Sequence, residues 1–385
     1  MINGDIELEI LEITVLNEAE PPVFEMNEST IGIDEEVRLR NRPLDLRTAR
    51  LQGNIRMRGK VAKLIRDHLD QEGFVEIETP LLTKSTPEGA RDYVVPSRVF
   101  PGTFYALPQS PQQYKQLLMS AGFERYFQVA KCLRDEDSRG DRQPEFTQID
   151  MEMSFVDREA VMQLNETMLI KIVETLYPQK RIQQVPFPRM TYAEAMSQYN
   201  SDRPDIREDK NDPDLLAFCW VVDFPFFERT DTSDNPQAQG EWTFTHNPFS
   251  APMPEHMENL MNKQNIADII TSQYDIILNG YEIGGGSIRN HRASALEKVF
   301  EILGYSADVI EGQFGHMLRA FRQGTPPHGG IAWGFDRLIM LLQNEPNIRE
   351  VIAFPKTRIG QDVLMDSPSS ISPKQLAELH IRSVE

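Results

Sequence analysis

The stretch from Val129 to Phe155, VAKCLRDEDSRGDRQPEFTQIDMEMSF, sets the tightest limit on what this chain can fold into. A short, largely apolar run ends at Leu133, and Asp135 to Pro144 is charged and turn-rich, with Gly140 and Pro144 as breakers. From Ile149 onward, Ile149, Met151, Met153 and Phe155 alternate with Asp150, Glu152 and Ser154, the period of a strand with two unlike faces. The pattern predicts two antiparallel strands joined by a charged loop. Arg134 stands where the first strand ends, and its planar fork suits a phosphate or a carboxylate. Taken alone, the stretch reads as a hairpin with a solvated charged loop.

Composition narrows the class without naming a function. With 385 residues, 40% hydrophobic and 26% charged, the chain can bury a substantial core. No apolar run is long enough to span a bilayer, and MINGDIELEIL has no basic segment before an apolar one, so a cytoplasmic protein is expected, with no membrane partner. Cys132 and Cys219 form no CxxC pair and suggest neither a zinc site nor a disulfide. The net charge of −19 argues against a nonspecific nucleic-acid binder; any polyanion would be met by local arginines such as Arg134, Arg139 and Arg142.

Three further stretches give the hairpin a context: QEGFVEIETPLL (Gln71 to Leu82), NGYEIGGGSIR (Asn279 to Arg289) and GGIAWGFDRL (Gly329 to Leu338). With Leu133, Arg134, Asp135 and Glu136 of the hairpin and Gly334, Phe335, Asp336 and Arg337, they resemble the three ordered signature motifs of class II aminoacyl-tRNA synthetases. TPEGARDY, PQSPQQYKQLLM and VIAFPKT are similar to bacterial-type aspartyl-tRNA synthetases in particular. The resemblance implies an α+β fold, a mostly antiparallel sheet flanked by helices, and a homodimer built on the first motif. It implies two parts: residues 1–37, a remnant of an N-terminal OB-fold and linker, and residues 38–385, the catalytic domain. It also implies that an inserted domain usual in the bacterial enzymes is missing, with only a loop at Asp209 to Leu215 in its place.

The elements follow from local pattern. Asp5 to Leu16 alternates acidic and apolar residues and is expected to be a strand with one buried face. Arg38 to Leu51 reads as a basic connector. Val61, Leu64, Ile65 and Leu69 mark an amphipathic helix over Asn54 to Gln71, closed by Gly73 and offering a dimer surface. Thr83 to Tyr93 reads as a mobile loop, as does the polar Arg229 to Gly240. Ser110 is expected to cap a helix with Pro111 at its first position, burying Tyr114, Leu117, Leu118 and Ala121 and projecting Gln112 and Lys115 to one side. Arg158 to Tyr177 is a long helix, and two shorter ones follow Leu296 and Ile310.

No Walker loop and no GxGxxG is present, so ATP needs another cradle. By the resemblance, Arg134 meets the α-phosphate and Arg337 the γ-phosphate, with Gly334, Phe335 and Asp336 beside it; Glu136 and Gln143 lie on the adenine side. Asp275 and Glu282 would hold Mg²⁺, a cation suited to carboxylates and phosphates, if a bulge brings them to one side. Gly284, Gly285 and Gly286 would let the backbone approach the ligand. For L-aspartate the implied set is Glu88, Ser110, Gln112, Lys115, Asp150, His246 and Arg289: two cations for carboxylates, two anions for the ammonium. Asparagine would leave a desolvated cation unpaired, so aspartate is expected. Asn247 departs from the pair of histidines usual in the bacterial family. The implied reaction is aspartyl-adenylate formation followed by transfer to tRNA, held at the acceptor end only. Two alternatives stay open: a paralogue passing aspartate to another acceptor, and a non-catalytic binding protein of the same fold.

Overall fold

The computed structural model describes residues 6–26, 29–86, 88–137, 139–230 and 240–383. The first motif forms α3 (Ala49–Gln71), preceded by two short helices, α1 (Glu35–Arg40) and α2 (Arg42–Asp45). The arginine-rich segment is therefore folded helix rather than connector, and it buries Arg38 and Arg42. At the end of α3 the Phe74 N–H bonds to the Leu69 carbonyl at 2.9 Å and the Gly73 N–H to Asp70 at 3.0 Å. Gly73 takes φ +79°, the left-handed turn that closes a Schellman motif.

A sheet of eight strands organises the rest: β1 (Val75–Glu76), β2 (Arg125–Leu133), β3 (Glu145–Ser154), β4 (Arg189–Thr191), β5 (Phe218–Val222), β6 (Gln273–Leu278), β7 (Tyr281–Ile288) and β8 (His328–Gly334). Their spatial order is β1-β2-β3-β8-β7-β6-β5-β4. The six central strands are antiparallel and only the outermost pairs are parallel. The expected hairpin is β2–β3, in register from Arg125 opposite Met153 to Leu133 opposite Glu145.

Alternation along the strands separates two faces. Ile149, Met151, Trp333, Ile276 and Trp220 point into a core shared with α3, α5 (Arg158–Leu176) and α8 (Phe335–Leu342). On the opposite side a second core forms around α6 (Ala293–Ile302) and α7 (Ala307–Arg322), with Phe300 and Phe314 stacked at its centre and Phe249 edge-on to both. The polar strand face lies between this second layer and the sheet.

Three expectations are corrected. Ile6 to Leu16 forms no strand: the backbone pairs with nothing, and Leu8, Leu11 and Leu16 are 88%, 88% and 95% exposed. A strand exists only where another strand takes its hydrogen bonds, and the described chain offers none there. The apolar stripe of α3 is covered in this same chain by α5 and the sheet, so it is not free for a dimer. The helix after Ser110, α4 (Gln112–Ser120), starts one residue later than expected and buries Gln113, Lys115, Gln116 and Met119 instead of an apolar stripe. It lies against the polar face of the sheet, so its polar side is the inner one. Part of the polar loop after Arg229, residues 231–239, falls outside the described residues.

Candidate active site

The polar face of the sheet floors a cavity of about 850 Å³. Asp150 and Glu152, two apart on β3, share that face and are fully buried. From the first turn of α4, Lys115 Nζ reaches Asp150 Oδ1 at 2.6 Å and Glu152 Oε2 at 3.4 Å. From the end of β7, Arg289 grips Glu152 with Nε at 2.9 Å and Nη2 at 3.3 Å, and also donates to Ser287 Oγ and the Gly330 carbonyl. Burial alone would raise the Glu152 carboxyl, but Arg289 and Lys115 hold it below the ordinary carboxylate range. The four charges cancel. With three N–H on an ammonium and five on a guanidinium, each cation retains one uncommitted donor, and both side chains line the cavity. Asp150 Oδ2 is buried with no hydrogen-bond partner.

One wall is the segment carrying Glu88. Its carboxylate accepts from Thr86 Oγ1 at 2.9 Å, Ser110 Oγ at 3.2 Å and Gln113 Nε2 at 3.4 Å. Burial raises its pKa, against the pull of those bonds and of Arg134. Ser110 bridges Glu88 to α4, accepting from the Gln112 N–H at 3.3 Å, and Gln112 lies on the cavity wall.

At the mouth, Arg134 stacks over Phe146 with its guanidinium carbon 5.1 Å from the ring centre, and Nε leans on the Gln109 carbonyl at 3.4 Å. Across from it, Arg337 rises from the first turn of α8. It donates to the Glu282 carbonyl, pairs with Asp141 at 3.0 Å, and leaves Nε buried without a partner. The charged loop between β2 and β3 brings Glu136, Asp141 and Gln143 to the cavity. Glu136 pairs with Arg142 at 3.4 Å. Gln143 accepts the Lys356 N–H at 2.8 Å and leaves its buried Nε2 unpartnered.

The β6–β7 hairpin supplies the back wall. The ladder slips between Ile276 and Ile277, a bulge that turns Ile283 and Gly284 inward and leaves Glu282 lining the cavity, while Asp275 lies buried just behind the lining, against Gln273, His246 and Gly285. At Gly285 a Cβ would sit 2.7 Å from Asp275 Oδ1, so the glycine makes room for this carboxylate; at Gly286 it would strike the Gly330 carbonyl. The close approach expected at these glycines is thus to protein atoms. Asp275 accepts from Gln273 Nε2 at 2.7 Å and faces His246 Nε2 at 3.2 Å. Burial would lower the His246 pKa, but Asp275 raises it. Burial and the neighbouring Asp275 raise that of Glu282. Asn247 turns its Oδ1 to the Phe249 N–H at 3.0 Å, an Asx turn that a histidine could not make in that way.

Those observations meet a family comparison. A model of "tRNA synthetases class II (D, K and N)" matches residues 34–358. The chain belongs to that family. Among curated relatives of this synthetase, the "Aspartate--tRNA(Asp/Asn) ligase" of Rubrobacter xylanophilus is 41% identical, over 98% of this chain and 82% of its own length. The "Aspartate--tRNA ligase" of Staphylococcus aureus is 38% identical, over 98% and 84%. The first alignment runs over 502 positions, of which this synthetase can fill at most 385, so the remaining positions of the relative have no counterpart here. Among solved structures, asparaginyl-tRNA synthetase from Pyrococcus horikoshii, complexed with asparaginyl-adenylate, superposes with a TM-score of 0.66 at 20% identity, covering 87% of this chain and 75% of that one. At that identity the likeness concerns the fold.

One residue expected at the nucleotide sits elsewhere in the synthetase, and another borders the cavity with its carboxylate already spent on protein groups. Phe335 is 2% exposed in the apolar core, beneath the Arg58 guanidinium. Asp336 spends its carboxylate on the Thr147 N–H at 2.8 Å and Arg58 at 2.5 Å, tying α8 to β3 and α3. Gly334, at the N-terminus of α8, does border the cavity. Sequence reasoning missed Glu152, although its spacing from Asp150 placed both on one face. It also missed Asp141 and Gln273, and Arg229 and Phe244, which line the cavity from the paired segments Phe227–Arg229 and Trp242–Phe244.

Proposed function

We propose that this synthetase is an aspartate–tRNA ligase. It joins L-aspartate to ATP as aspartyl-adenylate, releasing pyrophosphate, and passes the aspartyl group to a terminal ribose hydroxyl of tRNA, releasing AMP. The buried Lys115–Asp150–Glu152–Arg289 cluster carries the reading. Its two spare cationic donors suit the side-chain carboxylate, and the bare Asp150 Oδ2 and Glu88 suit the ammonium. An asparagine amide would present N–H groups to cations already paired with carboxylates. Arg134 and Arg337 flank the position for the triphosphate and stabilise charge as the α-phosphorus is attacked. Asp275 and Glu282 are two mutually repelling carboxylates beside the phosphate site, a donor set that fits Mg²⁺, whose role there is to offset phosphate charge. We place the enzyme in the cytoplasm, where the buried thiols of Cys132 and Cys219 stay reduced.

The direct test is aspartate-dependent ATP–pyrophosphate exchange, then charging of total tRNA. Exchange with aspartate should exceed that with asparagine by about a hundredfold or more in kcat/KM. Equal rates with both amino acids overturn the assignment.

Glu88 makes a pH prediction. Only its ionised form holds the ammonium, and its pKa lies above the ordinary value. KM for aspartate should therefore rise as pH falls, starting above the pH at which an exposed glutamate begins to protonate. Ser110→Ala removes a bond that favours the ionised form and should move the onset to higher pH. A KM that stays flat down to the ordinary carboxylate range would refute this role.

Further proposals concern partners. Anticodon reading needs a barrel of about five strands, and Ile6 to Leu16 contributes none here. This chain should charge an anticodon-swapped tRNA nearly as well as the native one; a drop beyond about a hundredfold, roughly 2.7 kcal/mol, would contradict acceptor-end binding. A homodimer remains our proposal, on a different surface from the α3 stripe. The β1 edge has one free side, with Val75, Leu81 and Leu82 each about half exposed beside it. Light scattering should give twice the 44.2 kDa chain mass, and a monomer at micromolar concentration would exclude it.

A further inference from the structure

The 3-10 turn Ile348–Glu350 lies between two parts of the molecule with different duties. On one side it touches the loop between β2 and β3. The Ile348 N–H donates to the Gly140 carbonyl at 3.0 Å, and Arg349 Nη1 reaches the Arg139 carbonyl at 3.5 Å. Just beyond the turn, the Lys356 N–H holds Gln143. That loop carries Glu136, Asp141 and Gln143 to the cavity, and Ile348 itself borders it.

On the other side the turn is gripped by buried charges from the N-terminal helices. Glu350, 3% exposed, receives Arg38 in a two-pronged pair at 2.9 and 2.6 Å and Arg50 at 2.7 Å. Arg42 donates to the backbone carbonyls of Arg349, Ile352 and Ala353, each at 2.8 Å, and to Asp45, which also takes Arg38 Nε. Arg349 is tied to Glu35 at 2.8 Å. Stability alone does not require such a set: apolar residues of the same volume commonly serve a core as well or better. What directional bonds supply is position. A guanidinium that caps the carbonyls of Arg349, Ile352 and Ala353 together fixes that segment in direction as well as distance, where apolar packing would let it slide.

We propose that this turn is a clamp that sets the height of the β2–β3 loop over ATP, with Glu350 its anchor as a positioning residue for the adenylation step. The proposal rests on the functional reading above, since it takes the loop to border the nucleotide. It requires no contact between Glu350 and any substrate.

Two variants test it. Glu350→Gln keeps the shape and removes the charge that holds Arg38 and Arg50. Ile348→Pro leaves the ionic cluster whole and deletes the N–H bound to Gly140; because it also trims the buried Ile348 side chain, Ile348→Val, which keeps the N–H, is measured beside it and should leave ATP affinity at the wild-type value. Proline is tolerated at the first position of the turn, and Asn347 before it is already extended, at φ −158° and ψ 162°. For Glu350→Gln and Ile348→Pro, KM for ATP in the exchange reaction, and the dissociation constant of ATP measured separately, should rise about tenfold, with KM for aspartate within about twofold of wild type. A merely structural role would lower the melting temperature and reduce active protein without separating the two KM values. Should Glu350→Gln fail to fold, Ile348→Pro decides alone. Unchanged ATP affinity in Ile348→Pro, or equal rises for ATP and aspartate, overturns the clamp. Wild-type protein that binds ATP yet shows no aspartate-dependent exchange defeats the functional reading instead, and the ATP affinity of the variant still judges the clamp.

Discussion

Alanine in place of Arg134 or Arg337 is expected to lower aspartate-dependent ATP–pyrophosphate exchange by about a thousandfold or more, with the fold intact. Neither side chain holds the structure together. Arg134 rests on Phe146, makes one long bond to the Gln109 carbonyl and is in no ion pair among the described residues, although its charge favours the ionised form of Glu88. Among the described residues Arg337 has one ion-pair partner, Asp141, which lies on a partly exposed loop and can turn to water, and its charge also favours the ionised form of Glu282 nearby. Both therefore keep their charge for a ligand. The loss should appear in the rate of the adenylation step more than in KM for aspartate, because negative charge grows on the phosphate oxygens only as the α-phosphorus is attacked. Single-turnover adenylate formation with a melting curve on the same samples gives the answer. A loss below about tenfold in both variants would mean that the triphosphate lies elsewhere in the cavity.

The other large effect belongs to the charge cluster on the floor. Arg289→Ala removes one partner of a buried network and leaves Glu152 with Lys115 alone. An uncompensated buried charge costs about 3–5 kcal/mol, so this variant should lose folding stability as well as aspartate affinity. Lys115→Ala should behave alike, since it strips Asp150 of its one ionic partner among the described residues. KM for ATP should change far less than KM for aspartate, and urea unfolding should show the stability loss with no substrate present. Equal losses for ATP and aspartate would make the cluster purely structural and remove the ground for aspartate recognition. The structure adds the stability arm: from the sequence, Arg289 and Lys115 stood ready for a substrate carboxylate, but the two-pronged grip of Arg289 is already taken by Glu152.

Much of this enzyme is legible along the chain. The period-2 alternation of Ile149 to Ser154, the breakers Gly140 and Pro144, the helical spacing of Val61, Ile65 and Leu69, and the closing glycine at Gly73 each depend on neighbours a few residues away. The helix and the paired strands form where those signals stand, and the residues chosen by motif gather round one cavity, with Phe335 in the core and Asp275 at the back wall. Alternation gives two faces to a strand but does not say what covers each. Asp150 and Glu152 have the pattern of a solvent face, and so do Gln113 and Gln116 on α4; all four are buried because a helix and a sheet lay their polar sides together. The same limit explains the errors. Ile6 to Leu16 has the alternation of a strand and, among the described residues, no partner to pair with, and the stripe on α3 that looked free is filled by α5 from the same chain. The site's central ion pair joins Glu152 to Arg289 across 137 residues. Local spacing fixes which residue types stand on a face, whereas only the folded sheet, by excluding water from that face, turns Glu152 from a surface charge into the counter-ion that holds Lys115 and Arg289 in place.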